Sequence, residues 1–166
     1  MATPLLIDTD LGVDDAVAVS LVLANQTLDL RAVVGVGGGV ELDQVMKNIA
    51  GLLHALSPPS MPAIGSGLDP PGEALDRRAV FGSDGLGECG VPLDAPPPAE
   101  DYLELYRRTI EQAGGELVVL ATGPRTNIAA VCTHLPEAAR AIKHLYLTGG
   151  AVWTQGNAGG AAEFNF

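Results

Sequence analysis

The chain has 166 residues, of which 47% are apolar and 17% are charged, so it is long and apolar enough to bury a core and is not a disordered segment. Its formal charge of −11 argues against a nucleic-acid partner, because such binding depends on clustered Lys and Arg. No apolar run reaches the ~20 residues of a membrane span, and no secretion signal is visible, so we expect no membrane partner and a cytoplasmic location. Cys89 and Cys132 are too far apart in the sequence for a metal-binding pair and are expected to be unpaired and buried.

The predicted elements alternate between strands and helices from the first residues onward. Residues 4–8 form a continuous apolar run that is typical of a strand buried on both faces, and residues 14–24 follow as a helix that is apolar on nearly all sides. Residues 30–36 predict a second buried strand. Apolar residues at helical spacing then predict an amphipathic helix over 41–57, and Ala63-Ile64 form a short extended piece.

The second half of the chain continues the same alternation after a long interruption. Residues 65–98 are rich in Gly and Pro and show little periodicity, which is typical of a functional loop. Tyr102 to Ala113 predict a helix, residues 116–121 a strand, residues 127–133 a helix and residues 145–148 a last strand. The alternation predicts an α/β fold with a mainly parallel sheet covered by helices on both faces, in a single domain over 1–166.

Acidic residues gather where the first strand ends. Asp8, Asp10, Asp14 and Asp15 fall within eight positions, and like charges this close repel unless a hard cation or a helix N-terminus compensates them. Asp14 and Asp15 alone fit an ordinary helix start, but Asp8 and Asp10 emerge from a buried strand. Because ligands of parallel sheets bind at the carboxyl ends of the strands, the pattern predicts an oxygen-rich site for a metal and a polyol.

Four segments of the chain resemble one enzyme family in the same order. Residues 8–18 (DTDLGVDDAVA) closely resemble the N-terminal signature of the inosine–uridine-preferring nucleoside hydrolases. Residues 120–129 (LATGPRTNIA) are similar to the family's central loop, and residues 148–151 (TGGA) to its Met-Gly-Gly turn. Gly156-Asn157 together with residues 162–165 (AEFN) resemble its sugar-binding segment. Four ordered matches are far more specific than a lone Asp-x-Asp.

The resemblance implies a Rossmann-like open sheet and calcium-dependent hydrolysis of the N-glycosidic bond of ribonucleosides, in purine or pyrimidine salvage. It implies that Asp10 and Asp15 bind Ca²⁺ together with the backbone carbonyl of Thr126, and that Asp10 takes a proton from the attacking water. The sugar hydroxyls would be held by Asp14, Asn157, Glu163 and Asn165. The chemistry is consistent, since cleavage builds positive charge on the sugar and carboxylates stabilise it.

The chain also departs from the family's pattern. Phe81 stands where many relatives carry a His, Gly37-Gly38-Gly39 stand where an Asn commonly reaches the metal site, and Thr148 replaces the usual Met. Family members continue well past the position of Phe166 and supply there another Asp for calcium and, in several members, a His that protonates the base. We therefore expect an apparently truncated sheet whose exposed edge makes the chain a homo-oligomer.

Two other functions compete with nucleoside hydrolysis. The first is a catalytically inactive relative that binds ribose or a nucleoside, which Phe81, Gly39 and the early end favour. The second is a phosphatase resembling the haloacid-dehalogenase superfamily, with Asp8 as nucleophile and Asp10 as acid and base. The phosphatase leaves the pair Asp14-Asp15 without a role and lacks a second acidic pair at a later strand end.

Overall fold

A computed structural model describes residues 1–71, 77–91, 98–158 and 162–166 of the chain. In these ranges the strands are β1 (Thr3–Thr9), β2 (Leu28–Gly35), β3 (Ala63–Ser66), β4 (Glu100–Asp101), β5 (Val118–Ala121) and β6 (His144–Leu147). The helices there are α1 (Val13–Ala24), α2 (Leu42–Leu56), α3 (Arg78–Phe81), α4 (Tyr102–Ala113), α5 (Thr126–His134) and α6 (Pro136–Arg140). Within these ranges, no helix combines the length and the apolar character that a membrane crossing requires.

All strand pairs are parallel, and the strand order is β4-β3-β2-β1-β5-β6. The predicted mainly parallel α/β sheet is therefore confirmed. Strand β1 lies at the centre between β2 and β5, which explains why its residues form an unbroken apolar run. The carboxyl end of β1 consequently lies beside those of β2 and β5.

The core is divided into two apolar clusters, one on each face of the sheet. Leu6 belongs to the cluster that contains Leu105 and Tyr106 of α4. Leu5 and Ile7 belong to the other cluster, with residues of α1 and α2. This alternation follows from the strand period of two, because successive side chains point to opposite faces.

The differences from the predicted elements concern short segments. Strand β3 extends to Ser66, and helix α3 lies inside the region predicted as loop over 65–98, of which residues 72–76 and 92–97 fall outside the described residues. Helix α6 was not predicted. Both helices have five residues or fewer, too short to show a helical repeat of apolar residues.

One expectation of burial was wrong. The cysteines are unpaired as expected, but Cys89 and Cys132 are both exposed. Helix α1 is apolar on nearly all sides, as predicted, but it also carries apolar residues on its outer face, where Val17 and Leu21 are 56% and 66% exposed. These two residues are four positions apart and so share one helix face, whereas Val19 faces the core.

Strand β6 is an edge of the sheet and carries exposed apolar side chains, among them Tyr146, which is 58% exposed. An edge of this kind offers unpaired backbone groups and apolar surface to another chain. We predict that the 166-residue chain self-associates and that Tyr146→Lys shifts it towards the monomer, as read by sedimentation velocity over a concentration series. Val80→Lys, at another exposed apolar position, is the control. A wild-type chain that stays monomeric at every concentration would contradict the prediction.

Candidate active site

The site begins in the tight connection between β1 and α1. Leu11 adopts a left-handed backbone conformation with φ of 40°, and its N–H donates to the Thr9 hydroxyl at 3.0 Å. This conformation is costly for a residue with a branched side chain, and it is sustained here because the Leu11 side chain is fully buried. The next residue, Gly12, donates its N–H to the Asp15 carboxylate at 2.9 Å. The turn thereby directs Asp15 back towards the end of β1.

Asp10 and Asp15 form a pair of buried, mutually repelling carboxylates. Burial, reinforced by the negative charge of Asp15, raises the pKa of Asp10 to about 7. Burial also raises the pKa of Asp15, against the opposing effect of its hydrogen bond from Gly12. The N–H of Gly39 donates to the Asp10 carboxylate at 2.9 Å and partly offsets this effect. Two buried carboxylates whose pKa values remain raised have the chemistry of a hard-cation site.

Glycines on the neighbouring strand ends leave the space that Asp10 occupies. A Cβ atom at Gly38 would lie 2.2 Å from Oδ2 of Asp10, and a Cβ at Gly123 would lie 2.7 Å from the Asp10 backbone nitrogen. Real Cβ atoms do not approach other atoms this closely, so both positions require glycine. The turn after β2 therefore packs closely against the Asp10 side chain, and the turn after β5 packs closely against the Asp10 backbone.

Asp8 lies beneath the site rather than in it. Its carboxylate is fully buried and accepts hydrogen bonds from the Tyr106 hydroxyl at 2.8 Å and from the Asn127 amide at 3.1 Å. Asn127 also donates to the Gly35 carbonyl, so the network joins β1 and β2 to α4 and α5. A carboxylate enclosed in this way cannot attack a substrate, which speaks against the phosphatase mechanism with Asp8 as nucleophile.

The burial of Asp8 predicts a pH-dependent cost to folding. Burial raises its pKa to about 7, and one Asp8 oxygen has no hydrogen-bond partner in the described part of the chain. Since the folded pKa exceeds the unfolded value of roughly 3.9, the chain loses stability as the pH rises from about 4 through about 7. The unfolding free energy of Asp8→Asn minus that of wild type should therefore be larger at pH 8 than at pH 4.5, by on the order of a few kcal/mol.

Urea unfolding of both chains at the two pH values, in chelator, measures this difference. Asp29→Asn is the control, because Asp29 is exposed and its ion pair with Arg31 is solvated. A difference between Asp8→Asn and wild type that is the same at both pH values would refute the assigned cause.

The C-terminal segment folds back over the strand ends. The Asn157 side-chain carbonyl accepts a hydrogen bond from the Phe164 N–H at 2.8 Å. The Glu163 carboxylate accepts from the N–H groups of Gly150 at 2.9 Å and Asn165 at 3.1 Å. These side chains thus organise the turn after β6 and the end of the chain into one surface.

Asn165 fastens this segment to β5 and β6. Its amide donates to the carbonyl of Thr122 at 2.9 Å and to that of Thr148 at 3.1 Å. Arg125 also donates to the Thr148 carbonyl, and at 2.7 Å to the carbonyl of Gly123. The side-chain oxygen of Asn165 is buried and has no hydrogen-bond partner among the described residues.

One pocket of about 390 Å³ brings most of the predicted site residues together. Six of the seven line it, namely Asp10, Asp14, Asp15, Asn157, Glu163 and Asn165. The seventh, Thr126, starts α5 and lines an adjacent pocket of about 590 Å³ that shares Phe164 and Asn165. The described residues contain no cluster of three or more His, Cys, Asp or Glu side chains that could hold a metal ion. Asp10 and Asp15 thus supply only part of the six to eight oxygens that calcium takes.

The pocket is also lined by residues for which the sequence predicts no catalytic or binding role. Arg77 and Phe164 line it and contact each other, with the guanidinium carbon 4.5 Å from the centre of the ring. Phe81, which stands where many relatives carry a His, lines the pocket too. The only sequence signal for Arg77 is its position in the irregular loop, which does not distinguish it from neighbouring residues.

Comparisons with known proteins show similarity to one enzyme family. The family profile described as inosine-uridine preferring nucleoside hydrolase matches residues 5–166. The pyrimidine-specific ribonucleoside hydrolases RihA of Salmonella schwarzengrund and Citrobacter koseri are 32% and 34% identical to the chain over 173 residues. Those alignments cover 99% of this chain and 53% of each relative, so the chain spans about half the length of the curated relatives it matches.

Solved structures show the same likeness. A plant nucleoside hydrolase, PpNRh1, superposes with a TM-score of 0.89 at 30% identity, covering 99% of this chain and 53% of the other. A purine-preferring ribonucleoside hydrolase from Gardnerella vaginalis superposes with a TM-score of 0.88 at 29% identity, covering 98% and 53%. The fold, the ordered motifs and the family profile agree, and the chain belongs to the inosine–uridine-preferring nucleoside hydrolase family.

Proposed function

We propose that this site hydrolyses the N-glycosidic bond of ribonucleosides to ribose and free base with the help of a bound calcium ion. The observation that carries the proposal is the buried pair Asp10 and Asp15, which shares one pocket with Asn157, Glu163 and Asn165. Carboxylate and amide oxygens of this kind suit a hard cation and the hydroxyls of a sugar. The small-molecule partner is therefore a ribonucleoside.

The sugar is held by the polar side of the pocket. In this proposal Asp14, Asn157, Glu163 and Asn165 accept or donate hydrogen bonds to its hydroxyls. Acidic side chains around the sugar stabilise the positive charge that develops as the bond to the base breaks. A neutral nucleoside suits a pocket with this excess of carboxylates better than a phosphorylated one.

The water is activated by Asp10. In this proposal the Asp10 carboxylate accepts a proton from the attacking water, a role that requires it to lie within hydrogen-bond reach of that water. Asp10 and Asp15 would hold the calcium ion, which when bound supplies positive charge that makes water more acidic. The carbonyl of Thr126 is proposed as a third ligand from the family resemblance alone.

Calcium removal tests the proposal directly. Release of ribose from a mixed ribonucleoside panel by the 166-residue chain should fall to background when calcium is replaced by a chelator, and should return when calcium is restored. Equal release under both conditions would overturn the calcium requirement. Magnesium in place of calcium is the matched control, because its stricter geometry distinguishes a specific site from general screening of charge.

A nucleoside-binding protein without turnover is the second candidate. It is favoured by the pocket wall, where Phe81 can stack on a base but cannot donate a proton. His54, His134 and His144 are all exposed and none lines the pocket. Equal nucleoside binding and no ribose release from both wild type and Asp10→Asn would support this candidate.

The organisation of the protein is also a proposal. The two apolar clusters lie on the two faces of one sheet, which supports a single domain over 1–166. The exposed edge at β6 supports a homo-oligomer, in line with the self-association predicted above. A cytoplasmic location and a role in nucleoside salvage complete the proposal, the former testable by cell fractionation.

A further inference from the structure

One basic side chain stands in an otherwise acidic pocket. Among the described residues that line it, Arg77 is the single cation. The pocket also holds four carboxylates, those of Asp10, Asp14, Asp15 and Glu163. The proposed reaction at the sugar uses the acidic groups and leaves Arg77 without a role.

Arg77 is fixed in place through its backbone and its side-chain stem. Its N–H donates to the Gly39 carbonyl at 3.0 Å, and its Cβ lies 3.4 Å from the position that a Cβ of Gly39 would take. The guanidinium lies over the Phe164 ring at 4.5 Å. A contact of this kind attracts the cation to the ring electrostatically and uses none of the guanidinium's N–H donors in a hydrogen bond to an oxygen acceptor.

Those N–H groups have no acceptor in the protein as described. In the described part of the chain, no carboxylate forms an ion pair with Arg77, although Arg31, Arg78, Arg107, Arg108 and Arg140 all do so with their neighbours. A guanidinium that is held in a pocket with its donors unused is a recognition group for an acceptor on the ligand.

The other residues of the pocket indicate what that acceptor is. The aromatic residues Phe81 and Phe164 line the same pocket as the proposed sugar contacts, and a base can stack on their rings. A phosphate group is disfavoured by the four surrounding carboxylates. A carbonyl oxygen of the base is neutral in the substrate and gains negative charge as the base leaves.

We propose that Arg77 is a specificity-determining residue that donates hydrogen bonds to a carbonyl oxygen of the base, and so favours oxo bases such as uracil over adenine. This inference rests on the proposed function. In the reaction, the bond between the sugar carbon and the base nitrogen breaks and its electron pair goes to the base. Water adds to the sugar carbon and gives one proton to Asp10, and the base takes a proton from solvent. Arg77 stabilises the base anion without transferring a proton.

Binding of two ribosides that cannot be hydrolysed tests the inference. Pseudouridine carries carbonyl oxygens and formycin A carries none, and in both a carbon–carbon bond joins the sugar to the base. In calcium, Arg77→Met should weaken pseudouridine binding about tenfold, the effect of losing a charge-assisted hydrogen bond, with formycin A and D-ribose changed by less than about twofold. Arg77→Lys should lie between, because it keeps the charge and loses the planar fork.

Arg78→Met is the matched control, since Arg78 is the next residue, pairs with Glu41 at 3.7 Å and does not line the pocket. It should leave both affinities unchanged. Calorimetric titration gives the affinities, and circular dichroism establishes that each variant is folded. If Arg77→Met is unfolded, the selectivity of Arg77→Lys decides the question.

Five outcomes would overturn the inference. If Arg77→Met binds pseudouridine and formycin A more weakly by the same factor, Arg77 only supports the Phe164 ring. If Arg77→Met binds pseudouridine as tightly as wild type does, Arg77 does not contact the base. If wild type binds uridine 5′-monophosphate more tightly than uridine and Arg77→Met does not, Arg77 binds a phosphate group and not the base. If wild type binds neither riboside, both the inference and the proposed function are wrong. If Arg77→Met releases ribose with the same base preference as wild type, only the inference is wrong.

Discussion

Replacement of Asp10 by asparagine should lower the rate of ribose release by about 10²–10⁴-fold, the usual contribution of a general base. Asparagine keeps the shape of the side chain and an oxygen for the Gly39 N–H, but it cannot accept the proton of the attacking water. It also removes one of the two carboxylates proposed for the cation, so the calcium concentration for half-maximal activity should rise. Both quantities come from initial rates at saturating uridine over a calcium titration.

Asp29→Asn provides the comparison for Asp10→Asn, because it makes the same chemical change at an exposed site on β2. Its rate and calcium dependence should match those of wild type. If Asp10→Asn keeps more than about a tenth of the wild-type rate, the loss is smaller than about tenfold, which is below the range for general-base catalysis. Asp10 would then be excluded as the base.

Gly38→Ala should reduce ribose release by about 10²-fold, although it adds only one methyl group. That group would lie 2.2 Å from Oδ2 and 2.6 Å from Cβ of Asp10, so either the carboxylate or the turn after β2 must move. A displacement of about 1 Å at a catalytic group has an effect of this size on rate. Kinetic assays together with thermal unfolding separate a misplaced carboxylate from a loss of folding.

Gly39→Ala is the neighbouring comparison. The nearest atom to its added Cβ is the Cβ of Arg77 at 3.4 Å, which is an ordinary van der Waals contact. Its effect on the rate should be well below that of Gly38→Ala. If both substitutions lower the rate of ribose release equally, the turn after β2 tolerates no side chain at either position. A specific clash with Asp10 would then not explain the effect of Gly38→Ala.

Much of the fold could be predicted because the signals for it are local. Helix α4 has the predicted bounds, since Asp101 caps its start by accepting the Glu104 N–H at 3.0 Å and Gly114 ends it with φ of 57°. The apolar run of β1 likewise predicts a central strand. Six site residues meet in one pocket because they follow strand ends that a parallel sheet places at the same edge.

The remaining features depend on contacts that no local pattern encodes. Asp8 and Asp10 are two positions apart and would share a face in a continuous strand, but β1 ends at Thr9, so only Asp8 follows the strand into the interior. The contact between Arg77 and Phe164 joins an irregular loop to the end of the chain. Its formation depends on the tertiary fold, which the composition of either segment does not reveal.

The hydrogen-bond network around Asp8 joins residues that are synthesised at different times. Asp8 is hydrogen-bonded to Tyr106 and Asn127, which follow it by 98 and 119 positions in the sequence. While the ribosome is still synthesising the middle of the chain, the first strand has neither these partners nor β5 beside it. Contacts with such long sequence separation form slowly, and unpaired strands are prone to aggregate meanwhile. Asp8 therefore emerges well before its partners and is among the last residues to reach its final surroundings.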